Sequence, residues 1–233
     1  MTMSNDRRIA RRVGVFFIVA TVAGILSLSF TGSILDTPND LTSIAEHEIQ
    51  VLTGSFFVLI MAVAVTAIPI AAYPILRRYS ESIAIGYFGA RVVEAVIFII
   101  DVLSVLVLLS LSRAFLDAGS NDAAYFHTLG ELLLAVRDWG GHVILSIAVF
   151  PLGAMMFYYL LYQAKLVPRW LSGWGIIGAV LYLLAGILIF FTLVEPYSTV
   201  QIILSIPLAV QEMVLAVWLI AKGFHTVSKE HTN

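Results

Sequence analysis

The chain has no cysteine, and only 12% of its residues are charged. The first absence removes disulfides, thiolate metal sites and cysteine nucleophiles, and leaves the redox compartment unread. The second sets the chain apart from soluble domains, in which about one quarter of residues are charged and roughly half are apolar. Here 60% are hydrophobic and the mean hydropathy is +0.97. Also missing are a glycine-rich phosphate loop, a nucleophile elbow and any basic face beyond what membrane topology requires. Nucleotide and nucleic-acid chemistry are therefore disfavoured.

What the sequence does contain is long apolar runs. Hydrocarbon ~30 Å thick takes ~20 helical residues to cross, and six stretches qualify: residues 13–35, 51–76, 83–111, 142–163, 171–194 and 200–221. Their continuity, without strand-like alternation, favours helices over a barrel. The predicted fold class is all-α, a polytopic membrane helical bundle with six transmembrane helices, forming a single integral membrane domain over residues 1–233. Short connections make neighbouring helices antiparallel. The longest connection, an outer interfacial segment over residues 112–141, has an apolar face at 125–136 with His127 and Glu131 four residues apart. It predicts a short interfacial helix, broken at Gly140 and Gly141.

Orientation follows from the cations. Arg7, Arg8, Arg11, Arg12, Arg77, Arg78, Lys165, Arg169, Lys222 and Lys229 fall on one side, against Arg113 and Arg137 on the other. By the positive-inside rule both termini are predicted cytoplasmic, in a bacterial plasma or inner membrane. The first apolar run exceeds a signal-peptide core, so it reads as a retained anchor.

The third run carries Arg91, Glu94 and Asp101 among 18 Leu, Ile, Val and Phe residues between Ile83 and Leu111. Each apolar residue favours insertion by ~0.3 to 0.6 kcal/mol, and each charge costs roughly 2.5 to 3.5 kcal/mol at the centre. The sum is near balance, so the charges are expected to face the bundle. Positions 91, 94, 98 and 101 share one helical face. Counting ~1.5 Å per residue places Arg91 and Glu212 at a common depth of about 12 to 14 Å, which predicts that they pair, with Glu94 and Gln211 nearby. Asp101, ~15 Å further along, is expected to look to the outer half and to His142. The candidate binding residues are thus Arg91, Glu94, Asp101, Gln211, Glu212 and His142.

Other groups carry less. His127 and Glu131, with Glu46, His47 and Glu48, match no zinc spacing and read as solvated loop residues, so no metal or cofactor is assigned. Pro69, Pro151 and Pro207 are expected to interrupt the second, fourth and sixth spans. Tyr158, Tyr159, Tyr162, Trp170 and Trp174 read as an interfacial aromatic belt. Gly175 with Ala179, and Gly86 with Ala90, permit close helix contact within the protein or between copies.

Three stretches carry a resemblance: Gly86 to Ala95, with Arg91 and Glu94; Tyr158 to Ser172, with Pro168, Arg169 and Trp170; and Pro207 to Trp218, with Gln211 and Glu212. Together they resemble the bacterial six-span membrane family known as domain of unknown function 4386 (DUF4386), across nearly the whole chain. Ala90 stands where an aromatic is expected in that family. The resemblance implies a six-span bacterial protein and transfers no catalytic residues.

Two functions are expected from these residues. One is binding or transport of a small polar or anionic solute, or of protons, at the Arg/Glu cluster, with the lipid bilayer and a second copy of the chain as partners and no nucleic acid. The alternative is an accessory or regulatory membrane component whose buried charges are structural. An enzyme built on His142, Asp138 and Glu131 ranks behind both, because no nucleophile or metal set accompanies them.

Overall fold

A computed structural model describes residues 2–35, 40–118, 122–196 and 198–225, with side chains from residue 5 onward apart from that of His142. Eight α-helices are seen among these residues: α1 Thr2–Leu35, α2 Leu41–Glu46, α3 Glu48–Leu76, α4 Glu81–Ala118, α5 Ala123–Arg137, α6 Phe150–Gln163, α7 Arg169–Phe190 and α8 Thr199–Ala221. A π-helical stretch, Asp138–Val149, joins α5 to α6. No strand occurs among the described residues. Six helices are long and apolar enough to cross a membrane, counting α5 through α6 as one. The chain is a multi-pass membrane protein.

The six spans close into a ring. α1 packs on α3, α3 on α4, α4 on α6, α6 on α7, α7 on α8, and α8 returns to α1. Large apolar side chains such as Ile25, Phe56, Val63, Ile177 and Val217 point outward, the reverse of a water-soluble surface and the arrangement hydrocarbon selects.

The interior has three levels. Toward the end of the bundle that holds the N-terminus, the core is aromatic: Tyr87 stacks on Phe157 with ring centroids 4.8 Å apart, and Phe17 and Tyr158 flank them. At the opposite end Ile34, Leu41, Ile44, Val51, Val105 and Leu108 form an aliphatic core under α2. Between them lies a level of small residues, Ala20, Ala62, Ala64 and Ala95 with Val65, on which Met61 and Phe98 rest.

Glycine permits close approaches between the helices, two of them beside α6 and the π-helical stretch. A Cβ on Gly175 would lie 2.5 Å from the Tyr158 ring, and one on Gly186 would lie 2.8 Å from the backbone and side chain of Ser146. Both substitutions would force packed atoms apart. The helix ends are held by ordinary local devices. Asp40 accepts the Ser43 N–H at the start of α2, and Ser198 accepts that of Gln201 at the start of α8, as Asp and Ser do at N-caps.

Ion pairs fasten the rims. Arg78, after α3, donates two hydrogen bonds to buried Asp6 of α1, at 2.8 and 2.9 Å. That bonding raises the Arg78 pKa further above its already high ordinary value. At the other rim Arg113 of α4 pairs with Glu48 of α3.

Several expectations need correction. The chain does not break at Gly140 and Gly141; it continues helically, with the Phe150 N–H donating to the Leu145 carbonyl in an i to i−5 bond. Wider π turns absorb the glycines. α3 and α8 run unbroken through Pro69 and Pro207, while Pro151 stands at the first turn of α6, where its missing N–H is tolerated. Tyr158 is buried in the core and is no part of a belt, unlike exposed Tyr159, Tyr162 and Trp170. The small residues do make the expected close contacts within the chain: Gly175 lies against Tyr158, Gly86 against Met156, and Ala90 against Gly153.

Candidate functional site

Arg91, one-third of the way along α4, is 3% exposed. A guanidinium at that depth keeps its charge and must be compensated locally. Its Nη1 donates to both carboxylate oxygens of Glu94, each at 3.0 Å. This partner lies one turn further on the same helix, as the i, i+3 spacing permits. Its Nη2 faces Glu212 of α8 with 3.7 Å to Oε1, an ion-pair distance that is too long for a hydrogen bond.

Aromatic rings complete the shell. The guanidinium carbon is 5.1 Å from the ring centre of Phe150, 5.5 Å from Tyr87 and 6.0 Å from Phe17. Ring faces carry partial negative charge and attract a desolvated cation. Arg91 Nε is buried without a hydrogen-bond partner among the described residues, and the buried Tyr87 and Tyr158 hydroxyls lie beside Arg91 and Glu212, short of good hydrogen-bond geometry. Buried polar atoms in that state are costly and are ordinarily met by water or a ligand.

The three ionisable groups border a cavity of ≈ 160 Å³. All six spans contribute to its wall: Phe17 and Thr21 from α1, Val65 from α3, Arg91 and Glu94 from α4, Phe150 from α6, Tyr182 from α7 and Glu212 from α8. At about 30 Å³ per molecule this is space for roughly five waters.

A second cluster lies toward the opposite end. Arg137, the last residue of α5, turns inward and is 8% exposed. Its Nε is 3.7 Å from Asp101 Oδ1, and its Nη1 is 3.6 Å from Asp138 Oδ1. Asp101 and Arg137 border a larger cavity, ≈ 230 Å³, whose other wall carries Ser27, Thr31 and Ser55.

The sequence-predicted residues divide as follows. Arg91 and Glu212 do approach each other, but Glu94 is the nearer partner of Arg91. Gln211 is fully buried and donates its amide to the Leu171 carbonyl at 3.0 Å; it tethers α8 to α7 and is absent from the cavity wall. Asp101 lies toward the end of the bundle away from the N-terminus, here called the outer end, and faces Arg137, while the side chain of His142 lies outside the described residues. Sequence reasoning missed Arg137, which it read as a loop cation, and the ring cage. Tyr87 was within reach of it, one turn before Arg91 on the same face, whereas Phe17 and Phe150 come from distant segments. Among the described residues, no three His, Asp or Glu side chains come together in a way that suits a metal ion.

Comparison with known proteins gives a family and no activity. The family model described as "Domain of unknown function (DUF4386)" matches residues 13–223, and the chain belongs to that family. No curated protein and no solved structure matches it.

Proposed function

We propose that this member of the family binds and carries protons or a small polar solute through the bundle, using the cavity at Arg91, Glu94 and Glu212. The observation that carries the reading is a charge count. One guanidinium faces two carboxylates around a space large enough for a few waters. In a low-dielectric interior the uncompensated negative charge needs a counter-charge. A proton or a small cationic group supplies it, and an anionic solute does not. This narrows the solute class expected from sequence. Convergence of all six spans on the cavity also suits a transported species, since helix movements on either side would change its walls. We place the termini in the cytoplasm and the protein in the bacterial plasma membrane on the asymmetry of its cations.

A second reading rests on the bifurcated Arg91–Glu94 contact within one helix and the three rings around it. Such a neutral, caged pair also suits an accessory protein that uses its charges to fix helix register. Proteoliposomes containing a trapped pH-sensitive dye separate the two. With the membrane potential clamped, wild-type protein is expected to relax an imposed pH gradient faster than empty vesicles, and Glu212→Gln to return the rate to background. If wild-type vesicles pass neither protons nor small amines and neutral polar solutes above background, the transport reading fails and the structural one stands.

A further inference from the structure

The two cavities share a wall. Met61 of α3 and Phe98 of α4 line both the ≈ 160 Å³ space at Arg91 and the ≈ 230 Å³ space at Asp101 and Arg137. Phe98 lies on the α4 face that also carries Arg91, Glu94 and Asp101, between the last two. The charged stripe is therefore interrupted by one aromatic residue, at the level where the cavities meet.

We propose that the chamber at Asp101 and Arg137 is a hydrated vestibule to the inner cavity, and that Phe98 and Met61 form a closed, movable partition between the two. What passes rests on the transport reading above; the partition itself does not.

Four observations support this. The outer chamber has one arginine facing one carboxylate on its wall, Arg137 and Asp101, and adds the hydroxyl-bearing residues Ser27, Thr31 and Ser55. Polar walls of this kind suit ordered water. The dividing side chains are apolar, and a short apolar constriction excludes water until it is displaced. Met61 has three rotatable bonds and adapts to irregular space. Finally, the partition sits among the smallest side chains of the interior, Ala20, Ala62 and Ala95, and the Met61 sulfur lies beside Gly24, where a Cβ would be 3.1 Å away. Small neighbours and cavities on both sides leave Phe98 and Met61 room to turn, unlike the close-packed Tyr87 and Phe157 below them.

The absence of cysteine makes a direct test practical, because any introduced thiol is the only one in the chain. Ser55→Cys reports the outer chamber and Thr21→Cys the inner cavity. Each is exposed in proteoliposomes to a membrane-impermeant methanethiosulfonate bearing a trimethylammonium group, added from either side. Ser55→Cys is expected to react from one side, and Thr21→Cys to react from that side slower by about tenfold or more. Adding Phe98→Ala is expected to bring the Thr21→Cys rate close to that of Ser55→Cys. Met61→Ala serves the same purpose should the Phe98 variant not yield monodisperse protein. Equal rates with Phe98 in place, or a Thr21→Cys rate from that side unmoved by both partition variants, would overturn the proposal, as would a Ser55→Cys that reacts from neither side.

Labelling needs no transport, so its outcome is separable from that of the Glu212→Gln flux assay. Phe98→Ala vesicles identify the ion: faster relaxation of a pH gradient assigns a proton, and faster uptake under a sodium gradient assigns an alkali ion. No increase in either rejects passage of a monovalent cation across the partition.

Discussion

The two arginine clusters use the same ingredients in different solvents. Arg91 at the inner cluster meets Glu94 through short hydrogen bonds and is enclosed by three rings. Arg137 at the outer cluster faces Asp101 and Asp138 at 3.7 and 3.6 Å, and the Asp138 side chain is 53% exposed. Charge in hydrocarbon requires tight local compensation, whereas charge near water is partly compensated by solvent. The exposed Asp138 sets the two apart: one carboxylate of the outer cluster is solvated, whereas both carboxylates of the inner cluster are enclosed by the bundle.

The strongest way to break this comparison is to delete each arginine. Arg91→Ala leaves two carboxylates buried without a cation and is expected to cost about 3 to 5 kcal/mol. Arg137→Ala leaves a largely buried Asp101 without its cation while Asp138 keeps its solvent, and is expected to cost less, about 1 to 3 kcal/mol. Thermal unfolding of the detergent-solubilised proteins, followed by tryptophan fluorescence, measures both, and equal losses would mean that the clusters do not differ in solvent. Packing gives a smaller contrast. Gly175→Ala pushes on the Tyr158 ring beside the inner level and is expected to cost about 1 to 3 kcal/mol. Gly141→Ala at the outer level, where a Cβ would come no nearer than 3.9 Å to Asp101 Oδ1, is expected to melt close to wild type. The smallest effect is screening. Asp138→Asn is expected to shift stability by under about 1 kcal/mol, and the shift should vanish in ~1 M salt, where the Debye length is about 3 Å. An effect of Asp138→Asn that persists in salt would place Asp138 in a dry environment.

Much of the fold was legible because a membrane leaves few solutions. Apolar runs of sufficient length can only be helices or barrel strands, and their continuity decides between the two. Shared depth along two helices was enough to bring Arg91 and Glu212 within 3.7 Å. Depth does not reveal which neighbour wins when two compete. Glu94 lies a single turn away on the same helix and needs no tertiary contact to reach Arg91. The π-helical stretch was hidden because paired glycines ordinarily signal a break, and nothing local distinguishes a break from a widened turn. Arg137 was misread because a cation between spans is normally solvated; only the continuous helix from α5 into α6 turns it inward. Buried Asp6 was masked by the arginines around it, which read as a topology signal.

The contacts of Arg91 have one more consequence. Its guanidinium is gripped from four directions at once, by Phe17 of α1, Tyr87 and Glu94 of α4, Phe150 of α6 and Glu212 of α8. Drawing α1, α6 or α8 away from α4 at this height must peel off a ring or a carboxylate, while the bond to Glu94 travels with α4 and survives. That makes α4 a mast and the other three helices its stays: each stay holds the same charge, and the mast keeps its own counter-charge when one is loosened.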